Sequence, residues 1–103
     1  MEGVTVKQMT RDDYKNMQPD FDEMARKCRA AADVHYQMGN IVASVKYTIL
    51  AGAISAGAGI CWNCYTRWDD EQPTEWEEAY IDACRTEDLD KIYALLKNAE
   101  KKG

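Results

Sequence analysis

The chain predicts an all-α fold: a compact bundle of about four to five helices arranged as antiparallel hairpins, with a short extended N-terminal arm. Three observations carry that prediction. Thr10 with Asp13, and Thr74 with Glu77, form Thr-x-x-acid capping boxes, each opening a patterned segment. Apolar residues recur at three- and four-residue steps, while alternation is confined to Val4-Thr5-Val6, too short for a sheet. The 103 residues suffice for one modest core, so residues 1–103 are read as a single domain, with 1–9 as the arm.

Taken in order, Thr10 starts a short helix with Met9 stapled onto Tyr14, and that helix is expected to end near Gln18. Pro19 suits the first turn of a second helix, where Asp20, Asp22 and Glu23 complement the helix dipole and Gly39 closes the far end. Its expected inward face is Phe21, Met24, Ala25, Cys28, Ala31, Ala32, His35, Tyr36 and Met38. Asn40 caps a third helix running through Val45, Ile49 and Ile54 toward Trp62, with a break or bend expected near Gly57 because Gly52, Gly57 and Gly59 weaken it. Residues 69–73 form a turn, and Thr74 opens a helix carrying Trp76, Ala79, Tyr80 and Ala83. Thr86 or Asp88 caps a last helix with Leu89, Ile92, Tyr93, Leu95 and Leu96, followed by Lys97, Lys101 and Lys102 in dipole order.

Two local patterns support hairpins. Gly39-Asn40-Ile41, Ser44-Val45-Lys46-Tyr47 and Ala51 resemble the second half of a tetratricopeptide unit. The stretch 82–98 resembles the helix pair of an ankyrin-type repeat. Each spans one hairpin, and together they imply two antiparallel hairpins and nothing functional.

Thirteen basic against eighteen acidic side chains give a net charge of −5, which disfavours direct nucleic-acid or anionic-lipid binding and suits a partner with a basic surface. No basic start with an apolar run opens the chain, so a reducing, cytoplasmic setting is expected for its four cysteines. The segment 47–66 lacks charge, yet its Gly, Ala, Ser, Thr and Asn make it only weakly hydrophobic. It is read as a buried helix and not as a membrane span.

Chemistry-bearing patterns are sparse. Cys61-Trp62-Asn63-Cys64 is a C-x-x-C that, completed by Cys28, Cys84 or His35, would supply a zinc site. The favoured expectation is four buried, unligated thiols and no cofactor. A redox role is weaker, since that motif belongs between a strand and a helix. His35, the sole histidine, sits mid-helix among small and apolar neighbours, and no glycine-rich phosphate loop with its Lys is present. No catalytic set is expected.

Two surfaces remain. Ala51, Ser55 and Gly59 lie four apart on one stripe, as do Gly52 and Ala56. The preferred expectation is an intramolecular core contact, with a homodimer seam as the alternative. The stretch around Tyr65, Arg67, Trp68, Asp69, Asp70, Glu71, Glu75, Trp76, Glu78 and Asp82 mixes acids with aromatics, as a protein-binding surface does. The competing expectation is that Trp76 and Tyr80 face the core while the acids solubilise the other side. The leading expectation is therefore a non-enzymatic binding module, an inhibitor that engages a basic or nucleic-acid-binding protein. In size and acidity it is similar to phage and mobile-element inhibitors, including anti-CRISPR proteins. Alternatives are an assembly subunit that self-associates through the small-residue helix, then a zinc- or small-ligand-binding protein.

Overall fold

A computed structural model describes the backbone of residues 9–102 and side chains through Asn98, so the expected arm lies outside the described residues except for Met9. It holds four helices and, among the described residues, no strand: α1 (Arg11–Gln37), α2 (Ile41–Thr66), α3 (Glu75–Arg85) and α4 (Leu89–Lys102). Helices α1 and α2 pack along one another as a long hairpin, while α3 packs on α2 and on α4 as a second, shorter one. The all-α bundle of hairpins expected from the sequence is what forms.

The first correction concerns Pro19, which starts no new helix: α1 runs unbroken through it. Proline removes one backbone bond and crowds the preceding turn. Here the ring is exposed, and Tyr14 and Phe21, two turns apart on either side of it, are both buried in the core. Tertiary packing of that face outweighs the local break. Thr10 caps α1 as expected, its Oγ1 accepting from the Asp13 N–H at 3.3 Å while Asp13 Oδ2 accepts from the Thr10 N–H at 2.8 Å.

The α1–α2 turn closes as a Schellman motif, with Asn40 N–H donating to His35 O at 2.8 Å and Gly39 N–H to Tyr36 O at 3.1 Å. Gly39 holds φ +82°, the left-handed conformation a side chain resists. Contrary to expectation, the Asn40 side chain makes no cap; its Nδ2 lies 3.4 Å from His35 Nδ1. Tyr36 and Met38, expected to face inward, are exposed, because the hairpin ends before the core reaches them.

Helix α2 also runs unbroken, correcting the expected bend at Gly57. A Cβ there would stand 2.9 Å from Cys84 Sγ and 3.1 Å from Phe21 Cε2. Gly57 thus marks the close approach of α1 and α3 to α2, and the buried Ala58, Cys61 and Cys64 beyond it continue the same face. Ser44 Oγ donates to Ala32 O at 2.8 Å and fastens the two long helices near their turn.

Thr74 and Glu77 form the second capping box. The α3–α4 turn is another Schellman motif, Asp88 N–H donating to Ala83 O at 3.0 Å and Glu87 N–H to Cys84 O at 3.1 Å, with Glu87 at φ +54°. Of the two expected caps for α4, Asp88 serves: its Oδ1 accepts from the Lys91 N–H at 3.1 Å. On α4, Ile92 enters the core, whereas Tyr93 and Leu96 are exposed.

Candidate interaction surfaces

The acidic–aromatic stretch folds so that its aromatics and its acids separate. Trp76 stacks on Tyr80 with centroids 5.2 Å apart, and its Nε1–H donates to Leu95 O at 2.9 Å, tying α3 to α4. Tyr80 is buried, its hydroxyl donating to Ala53 O at 2.9 Å on α2. Trp68, half-buried, tilts onto Tyr14 at 5.8 Å. These three rings hold helices together.

Arg67 organises the turn beneath them. Its Nη1 meets Glu71 Oε1 at 3.1 Å, its Nη2 meets Glu77 Oε2 at 3.0 Å, and its Nε–H donates to Asn63 O at 3.3 Å. One guanidinium thus bridges the end of α2, the turn and the start of α3, a use its planar fork of donors favours. Tyr65 is engaged from the other side: Arg11 Nε–H donates to its carbonyl at 3.2 Å, and the Arg11 guanidinium sits 4.6 Å from its ring centroid. Asp82 faces Lys91 across 3.6 Å. Asp69, Asp70, Glu75 and Glu78 are exposed and enter no ion pair among the described residues.

The four cysteines are free and buried. Burial pushes the thiols of Cys61 and Cys84 up to about 12 and that of Cys64 to about 11, and raises Cys28 as well. Each would have to shed a proton to bind metal or attack a substrate, and the low-dielectric core opposes that. Among the described residues no three His, Cys, Asp or Glu side chains converge as metal ligands. His35 stacks on Tyr47 with centroids 5.4 Å apart.

The small-residue stripe is divided by the fold. Ala51 is buried, and Ser55 is half-buried with its Oγ accepting from Arg29 Nη2 at 2.8 Å. Gly52, Ala56 and Gly59 are exposed, and a Cβ added at Gly52 or Gly59 meets nothing within 4 Å. The core contact expected of the whole stripe is therefore made by Ala51 alone, with Ile54, Gly57 and Ala58 completing that face.

What sequence reasoning missed lies beside those glycines. Val42 is 84 % exposed, Val45 51 % and Ile49 38 %, all on the same outer face of α2 as Gly52, Ala56 and Gly59. The sequence signal was present: Lys46 is the one charged residue in the helix, so no polar stripe marks a solvent side. By length and composition α2 would also suffice to cross a membrane. In this fold its inner face is occupied by α1, which exposes Arg26, Arg29 and Asp33. No protein-family model, curated protein or solved structure matches this chain.

Proposed function

We propose that this protein is a non-enzymatic protein-interaction module whose principal docking surface is the outer face of α2. The observation that carries the reading is the uncovered apolar row of Val42, Val45 and Ile49 continuing into Gly52, Ala56 and Gly59. Exposed apolar patches of this kind mark interaction sites on soluble proteins, and a row ending in small residues admits another backbone closely. Buried, protonated thiols and a histidine stacked on tyrosine offer no nucleophile–base pair that would favour an enzyme.

A second reading, inhibition of a basic or nucleic-acid-binding protein in a cytoplasmic setting, draws on the exposed carboxylates of Asp69, Asp70, Glu75 and Glu78. The aromatics of that stretch serve intramolecular packing, so the acids alone would attract the partner, and salt would screen them. The test compares binding partners retained by the full chain, by Ala56→Lys, and by a variant with those four acids reversed to lysine. Loss with Ala56→Lys alone supports the α2 face; loss with the reversed acids alone replaces it with the acidic surface.

A further inference from the structure

Resting on that docking face, we propose that its occupant is a second copy of this chain, packed antiparallel with a two-fold axis crossing α2 between Leu50 and Ala51. The exposed positions Val42, Val45, Ile49, Gly52, Ala56 and Gly59 advance by alternating steps of three and four. That is the 3.5-residue repeat which keeps a seam facing one partner helix.

The seam is also graded by size: its first three members are large and its last three small. Antiparallel pairing about the stated axis sets Val42 against Gly59, Val45 against Ala56 and Ile49 against Gly52, twice over. Every large side chain then meets a space that is open in the monomer, as the bare surroundings of Gly52 and Gly59 show. Parallel pairing would instead oppose valine to valine and glycine to glycine, leaving voids along half the seam, which close-packed interfaces avoid. Flanking the seam, the exposed Ile41 comes alongside the exposed Trp62 of the other copy.

Charge and area agree with this occupant. Lys46 is the sole charge on α2, and the two-fold separates the two copies of it by roughly 14 Å along the helix, beyond a physiological screening length. The 26 residues of α2 span about 39 Å, so the seam and its flanks bury on the order of 1,000 Å² in total. That area is the lower bound for a specific interface, and it suits a dimer whose population rises with concentration.

Sedimentation equilibrium of the full chain across roughly 1–500 µM tests the proposal. The expected result is a rise from 11.7 kDa to twice that mass. Val45→Glu and Ala56→Lys, both at exposed positions, should each leave helicity and the melting of the dilute monomer unchanged and weaken the dimer at least ~10-fold. The double variant should recover it, because antiparallel pairing alone sets the carboxylate introduced at position 45 against the ammonium introduced at position 56 of the other copy. A dimer indifferent to the single variants, or a double variant that stays dissociated, overturns the arrangement. A monomer at the highest concentration overturns self-association. If Ala56→Lys still abolishes capture of another protein, or of neutral phosphatidylcholine vesicles, the face has a different occupant; if it abolishes neither, the docking face fails too.

Discussion

The two sides of α2 are built from the same residue types and meet different fates. Leu50, Ile54, Ala58 and Cys61 are buried on the inner side, while Val42, Val45, Ile49 and Ala56 stand exposed on the outer. Glycine makes the contrast sharpest: Gly57 sits where a Cβ would collide with Cys84 and Phe21, whereas Gly52 and Gly59 border open space. Identical chemistry therefore stabilises the monomer on one side and leaves surface to cover on the other. Apolar character alone does not say which role a residue has.

Truncation should separate the two sides most widely. Ile54→Ala removes a fully buried side chain and should cost about 2–5 kcal/mol in urea unfolding, whereas Val42→Ala should change monomer stability by less than ~0.5 kcal/mol. Equal losses would erase the distinction.

Alanine at the glycines gives opposite signs. Gly57→Ala gains helix propensity but drives a methyl against Phe21 and Cys84, for a net loss of about 1–2 kcal/mol. Gly52→Ala meets no obstacle and should raise monomer stability by about 0.5–1 kcal/mol. Thermal melts of the two variants at low concentration would check both directions.

Two smaller effects sharpen the picture at the helix ends and in the core. Glu87 occupies the left-handed position that Gly39 fills in the other turn, so Glu87→Gly should stabilise by about 0.5–1 kcal/mol, read as a shift in the urea midpoint. Tyr14 is buried with its hydroxyl unpaired among the described residues, so Tyr14→Phe should be neutral or stabilising, by up to ~1 kcal/mol. A large loss on Tyr14→Phe would show that the hydroxyl has an essential partner.

Alkali should act on the inner side alone. The raised thiols keep their protons in the folded state after the unfolded chain, titrating near 9, has lost them. Their contribution is thus fully present below pH 9 and declines as pH rises toward the folded values of about 12 for Cys61 and Cys84. A melting temperature that falls from pH 9 upward in the parent chain, and less steeply in Cys61→Ala, is the expected outcome.

How far the sequence could be read varied with the range of the forces involved. Both capping boxes, the turn at Gly39 and the amphipathic face of α1 were legible, because each depends on groups within about one helical turn of one another. The expected breaks at Pro19 and Gly57 were not made, because Phe21, Tyr14 and Cys84 supply long-range packing that outweighs a local propensity. In the acidic–aromatic stretch the residues were picked out but their directions were not. Trp76 and Tyr80 turn inward because Leu95 and Ala53 offer carbonyls to their polar tips, and the fold alone brings those partners near.

By itself, then, the sequence determined that this chain is helical, where its two capping boxes and the turn at Gly39 lie, and that α2 is apolar nearly throughout. Only the tertiary structure decided which side of α2 is consumed by the core. A helix without a polar stripe has no intrinsic inside, and its inside is chosen by the neighbours that reach it: Phe21 and Ala25 from α1, Tyr80 and Cys84 from α3.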